Sequence, residues 1–191
     1  MTDAGHLGRG DPYVGPRPFR QSDAGRFFGR QLEARDIASL WAGDRVTVLH
    51  GPTAAGKTSL LHAGVLPLLS RQTGVDLLPV SGLSRPAARP LAVAPPFNGY
   101  SFALLSHWAQ FEQAPVPGTS IADFLLARPP GVSADGEQQS ILAAIDQLEA
   151  LFTEFPAREE ERAVFIDELA DRKSTRLNSS HRIASRMPSS A

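Results

Sequence analysis

Apolar positions in the first part of the chain follow two different periods. Ala34, Ile37, Ala38 and Trp41 recur at i, i+3, i+4 and i+7, which predicts a helix over Gln31–Ala42 with one apolar stripe. Val46–His50 is a short run rich in β-branched residues and predicts a buried strand. Gly51–Gly56 then reads as a loop and Lys57–Gly64 as the start of a second helix, which Pro67 breaks or restarts. Further on, Asp76–Ser81 is a second candidate strand and Ser84–Asn98 a Pro-rich loop. Tyr100–Phe111 and Ser120–Ala127 read as helices, the latter capped by Thr119 or Ser120. Pro129–Gly136 is another loop. Ser140–Ile145 is an apolar run that ends on Asp146, a third candidate strand. Ala157–Ala170 is a charged amphipathic helix with Arg162, Phe165, Ile166 and Leu169 on one side. Met1–Asp11 is polar and Gly-rich, a flexible lead-in, and Tyr13–Phe19 an ordered extended segment. No internal repeat is present. Strands alternating with helices imply an α/β fold with a parallel sheet flanked by helices.

The loop after the first strand carries the most specific chemistry. Gly51-Pro52-Thr53-Ala54-Ala55-Gly56-Lys57-Thr58 fits the pattern G-x-x-x-x-G-K-[ST]. Gly51 and Gly56 let the backbone curl so that successive N–H groups point inward at phosphate oxygens. A helix that starts near Lys57 aims its positive dipole end at the same point. Lys57 supplies a compact ammonium for the β- and γ-phosphates, a task for which the planar fork of arginine is too large. Thr58 offers a hydroxyl to Mg²⁺. The alternative is a chance match in a Gly-rich turn, but a strand before and a helix after are the context the motif requires. Ile141–Asp146 is the candidate Walker B strand, with Asp146 as a second Mg²⁺ ligand. Taken alone it is a weak pattern, because many strands end on Asp as a turn residue. Gln147, not an acid, follows Asp146. Glu149 is then the nearest candidate to orient an attacking water, and its alternative reading is a solvated helix residue.

Composition narrows the setting. The chain has 191 residues, 42% hydrophobic and 20% charged, enough for one packed domain. It has no cysteine, which excludes a disulfide framework and a thiolate metal site and makes a reducing, cytoplasmic compartment the expectation. No apolar stretch reaches the ~18 residues of a bilayer span, and Met1–Pro12 lacks the apolar core of a secretory signal. His6, His50, His62, His107 and His181 show no ligand spacing. Net charge is −1, yet residues 171–191 hold five basic residues and one acid, which leaves the body about five charges negative and gives no sign of nucleic-acid binding. There are two lysines, Lys57 and Lys173. Against an arginine-rich background, Lys57 marks a position where arginine will not serve.

Three blocks together resemble a known family, the novel STAND NTPases of type 1. They are Pro12-Tyr13…Gly15-Pro16-Arg17-Pro18-Phe19…Asp23…Phe27-Phe28-Gly29-Arg30, the phosphate loop with Ser59-Leu60-Leu61…Ala63-Gly64-Val65-Leu66-Pro67, and Asp146-Gln147-Leu148-Glu149-Ala150-Leu151-Phe152-Thr153. The resemblance implies an AAA-like P-loop core that binds ATP or GTP with Mg²⁺ and acts as a signalling switch with slow hydrolysis. It implies protein partners that bind C-terminal sensor repeats lying outside this chain, and homo-oligomerisation on activation. Phe28, Gly29 and Arg30 match the family's box expected near the adenine, and Ser59 extends the phosphate-binding set. Leu148 and Ala150 depart from the family pattern, and Ala150 removes one of two family glutamates. Two other readings stay open: a P-loop interaction module that binds nucleotide without turnover, and a P-loop kinase. Clustered lid arginines would favour the kinase, and the segment after the phosphate loop carries none.

The last segment has a different character. Asp171–His181 and Ser185–Ala191 resemble the conceptual translation of a sequencing-library adapter with an index-sized gap between them. The expected organisation is therefore a lead-in over 1–11, the N-terminal part of an NTPase domain over 12–170 that stops before the full core is complete, and a non-native tail over 171–191.

Overall fold

The computed structural model describes residues 14–83, 97–109, 115–129, 131–153 and 158–170. The expectations for the lead-in, for most of the Ser84–Asn98 loop and for the 171–191 tail lie outside the described residues. The chain divides into two compact units, Met1–Gln72 and Thr73–Ala191, each described by itself.

The first unit begins with a 3₁₀ turn, Gln21–Arg26, followed by helix α1, Gln31–Gly43. α1 is the helix predicted from the 3.6-residue stripe, and it buries Ala34 and Ala38. The next helix is composite. α2, Lys57–Ser59, runs into a π-helical turn, Leu60–Val65, and then into α3, Leu66–Leu69. Pro67 therefore does not end the helix. Its ring would clash with the carbonyl four residues back, and the widened turn just before it absorbs the mismatch. Accordingly Leu66 N–H donates to Leu61 O, five residues back. Leu60, Ala63, Val65, Leu66 and Leu69 are buried, and this helix packs on α1. The approach is close: a Cβ added at Gly64 would lie 3.0 Å from Ala34 Cβ and 3.3 Å from Phe27 Cε1.

Val46–His50 does not form the predicted strand, which is a correction to the sequence reading. Propensity favours extension, but a strand exists only through a ladder, and no described residue pairs with 46–50. Val46 and Val48 are 67% and 74% exposed, while Thr47 turns inward with its Oγ1 buried and unpartnered among the described residues.

The second unit holds the parallel pairs. β1, Val75–Leu77, pairs with β3, Ser140–Leu142; β2, Ser81–Gly82, pairs with β4, Ile145–Asp146. Both predicted strands are thus split. Pro79 cannot donate to a ladder and interrupts the first, and Ala143–Ala144 interrupts the second, although Ser81 N–H still reaches Ala144 O at 3.0 Å. Helices α4, Gly99–Ala109, and α5, Ile121–Ala127, match the expected segments, with residues 110–114 outside the description. Ser120, not Thr119, is the cap of α5: its Oγ accepts from Asp123 N–H at 3.1 Å. A short helix that the sequence reading left out, α6, Ala150–Thr153, precedes α7, Glu159–Ala170. Only Phe165 of the predicted α7 stripe is fully buried; Ile166 is 39% exposed. The core joins Leu83, Tyr100, Leu104, Leu105, Trp108, Ile121, Leu125, Leu151 and Phe165. Burial pushes the Tyr100 hydroxyl above its ordinary pKa. With helices and parallel strand pairs, the chain is α/β.

Candidate functional site

The candidate phosphate loop, Gly51–Thr58, sits in the first unit, and its conformation follows from its residues. Gly56 adopts φ +78° at the residue before α2, a left-handed turn that a side chain would strain. Ala54 also has a positive φ, +64°. Among the described residues the only other non-glycine with positive φ is Gln147, at +59°, directly after Asp146. Backbone strain outside glycine thus falls on the two motifs singled out from the sequence, where such strain characteristically serves function.

Two cations meet the loop. Lys57 Nζ donates to Gly51 O at 2.9 Å and to Pro52 O at 3.1 Å, so the ammonium is folded across the mouth of its own loop. Arg30 Nη1 donates to Ala55 O at 2.9 Å. The loop closes on itself through Ala55 N–H to Pro52 O, and the helix starts with Leu60 N–H to Gly56 O at 2.8 Å. The first N–H groups of a helix have no acceptor within it. At the start of α2 these belong to Lys57, Thr58 and Ser59, beside the two cations. The arrangement presents donors and positive charge together, which is what a polyphosphate requires.

Of the residues expected near a base, Arg30 touches the loop as described, Gly29 turns at φ +87°, and Phe28 is 74% exposed. Phe27 instead packs edge-on against Phe19, ring centroids 5.5 Å apart. A cleft of about 250 Å³ is lined in part by Phe27, Arg30, Gln31, Ala34, Ala63 and Gly64; no residue of Gly51–Ser59 lines it, and Arg30 links it to the loop. Arg30 therefore borders both cleft and loop. A larger, more open depression lined by Arg35, Ala38, Leu68 and Gln72 touches no residue of the loop.

Asp146 and Glu149 belong to the other unit and are described within it. Asp146 Oδ1 accepts from Gln147 N–H at 3.0 Å, so the carboxylate is held at the end of β4 by the strained residue that follows it. Glu149 is exposed, and its carbonyl accepts from Phe152 and Thr153 N–H, so its backbone shapes the turn into α6. Among the described residues no group of three or more His, Asp or Glu gathers around one point.

One feature has no counterpart in the functional reading of the sequence. Asp23 is 2% exposed and accepts from Arg17 Nη1 at 2.6 Å, from Arg20 N–H at 2.9 Å and from Arg26 Nη2. The Arg17 hydrogen bond, then the Arg20 N–H and Arg26, hold its carboxyl well below the usual carboxylate range, against the opposing effect of burial. The signal in the sequence is one acid between arginines at i−6 and i+3 in a Pro- and Gly-rich stretch.

The family model described as Novel STAND NTPase 1 matches residues 12–187, a span that runs into the tail segment. No curated protein and no solved structure matches the chain. The chain belongs to the novel STAND NTPase 1 family.

Proposed function

We propose that residues Gly51–Ser59 bind the phosphates of ATP or GTP, and that the chain is the nucleotide-binding part of a switch NTPase. The observation that carries this reading is Lys57, whose ammonium lies across the loop on Gly51 O and Pro52 O. Phosphate oxygens are stronger acceptors than carbonyls, so an arriving triphosphate draws Nζ off those carbonyls. The N–H groups at the start of α2 and the dipole of the composite helix add to the same attraction. The base enters the cleft lined by Phe27 and Arg30, and Phe28 and Gly29, between those two in the chain, are proposed to adjoin it.

Thr58 is the proposed Mg²⁺ ligand of the first unit, and Asp146 the candidate ligand that the sequence motif offers in the second. That ion keeps several waters and takes further oxygens from the nucleotide. Bound, Mg²⁺ would neutralise charge on the β- and γ-phosphates. Hydrolysis is slow in this reading, with Glu149 orienting water. Gln147 following Asp146, together with the exposure of Glu149, supports a second reading: an interaction module that binds nucleotide without turnover. Protein partners, homo-oligomerisation on activation and a cytoplasmic setting belong to the same proposal. No helix among the described residues is long and apolar enough to cross a membrane.

The test is titration of the 191-residue chain with a fluorescent ATP analogue in the presence of Mg²⁺. Lys57→Ala should weaken binding roughly hundredfold, the scale of losing two charge-assisted hydrogen bonds. Binding unchanged by Lys57→Ala would overturn the assignment. Bound nucleotide that is never converted to diphosphate would select the second reading.

A further inference from the structure

Asp23 stands behind the phosphate loop without touching it, and two chains of contact run from it to the loop. The first passes through Arg20, whose N–H donates to Asp23 Oδ2 at 2.9 Å while Asp23 N–H donates back to Arg20 O at 2.9 Å. The next residue, Phe19, donates its N–H to Ser59 Oγ at 3.1 Å, forty residues along the chain and one past Thr58. The second passes through Arg26, held by Asp23 Oδ1, to Phe27, which packs on Phe19 and faces Gly64, and on to Arg30, which donates to Ala55 O. Arg17 adds a two-pronged grip on the same carboxylate, Nη1 to Oδ2 at 2.6 Å and Nη2 to Oδ1 at 3.3 Å.

We propose that Asp23 is a positioning residue for the phosphate loop: it holds residues 17–30 as a clasp that grips the loop at Ala55 and at Ser59, on either side of Lys57 and Thr58. The inference rests on reading Gly51–Thr58 as the nucleotide site. The chemistry requires an anion at this point. Two guanidinium groups and a backbone N–H converge on one nearly buried side chain, and a carboxylate alone has acceptors for all of them and charge to balance them. Asparagine has the same shape but turns an NH₂ toward one of these donors. The clasp therefore loosens in Asp23→Asn without a change in packing volume. Because the loop is strained at Ala54, it depends on such external support to keep its donors converging.

The experiment reads the clasp in two ways on the 191-residue chain. Amide hydrogen exchange without nucleotide follows Leu60–Val65, whose N–H groups are the first bonded within the helix, with Ile121–Ala127 as the internal reference. Titration with the fluorescent ATP analogue follows affinity. Asp23→Asn should speed exchange over Leu60–Val65 roughly tenfold relative to the reference. It should weaken nucleotide binding by about tenfold, the scale of losing support behind groups that hold a ligand. Ser59→Ala removes the acceptor of Phe19 N–H and should act in the same direction. In the double variant the two effects should not add, because they cut one chain of contact. Unchanged exchange over Leu60–Val65 in Asp23→Asn, or fully additive effects in the double variant, overturns the clasp. If Asp23→Asn fails to fold, Ser59→Ala alone decides, and unchanged exchange there is equally fatal. A wild-type chain that does not bind the analogue, with exchange still responding to Asp23→Asn, sinks the nucleotide reading and leaves the clasp as a device that orders the loop.

Discussion

Residues 14–72 and the described part of 73–170 are held by different physics. In the first unit the apolar interior is thin, made of small or single-layer contacts such as Ala34, Ala38, Ala63, Val65 and Leu69. What fixes the geometry of the segment before α1 is a buried carboxylate with three kinds of donor on it. In the second unit the interior is a continuous apolar cluster with Tyr100 and Phe165 fully buried and Trp108 4% exposed. Burial of apolar surface is non-directional and tolerates small shifts. A hydrogen-bonded carboxylate is directional and does not. The unit that carries the phosphate loop is thus the one whose order depends on a few exact-fitting polar contacts, and the unit with the larger apolar cluster carries the strand pairs. Each unit has one tryptophan, Trp41 in the first and Trp108 in the second, so the contrast can be read separately in the two.

The largest effect belongs to the apolar cluster. Phe165 is fully buried in α7, its ring 5.7 Å from that of Tyr100. Phe165→Ala should cost about 3–5 kcal/mol, measured by urea unfolding followed through Trp108 in a Trp41→Phe background. A loss below about 1 kcal/mol would mean that the cluster is not the main support of this unit. A smaller effect comes from the cap of α5, where Ser120 Oγ accepts from Asp123 N–H and bonds its carboxylate at 2.7 Å. Ser120→Ala should cost about 1 kcal/mol by the same measurement, and Ser120→Gly only a few tenths. No cost for Ser120→Ala would show that the side-chain bond contributes nothing.

How far the sequence reveals this division depends on whether local pattern or distant pairing decides. The α1 stripe and the Ser120 cap are local, and both are legible: spacing and side-chain chemistry contain the whole argument, as they do for the left-handed turn at Gly56. Val46–His50 has the same local credentials for a strand and forms none, because a ladder requires a partner that β-branching cannot supply. The splits at Pro79 and at Ala143–Ala144 are partly legible, since a missing N–H is written in the sequence while a lapse in pairing is not. The Asp23 hub is the least legible. Asp23 and Arg17 stand out within the block that resembles the family, but nothing in their spacing says that Arg17 and Arg26 turn onto one carboxylate. Even less does it say that Phe19 N–H ends on Ser59. The π-turn before Pro67 is of the same kind: the proline predicts a disturbance, and packing against α1 decides that the helix continues through it.

The smallest predicted signal is a slope with pH, and it tests whether charge holds the first unit. Asp23 titrates well below an ordinary carboxylate, first because of Arg17 and then because of the Arg20 N–H and Arg26. A group whose folded pKa is depressed adds stability that is complete above its unfolded value, about 3.9. That stability is lost as pH falls toward the folded value. In a Trp108→Phe background, the urea midpoint reported by Trp41 should therefore fall steadily from about pH 5 downward. In Asp23→Asn the midpoint starts lower, and the fall should be visibly shallower, because the substituted amide takes up no proton in this range. An identical acid slope in wild type and Asp23→Asn would remove the charge hub from the account. It would leave the apolar contacts between α1 and the composite helix, with Arg30 on Ala55 O and Phe19 N–H on Ser59 Oγ, as the support of the loop.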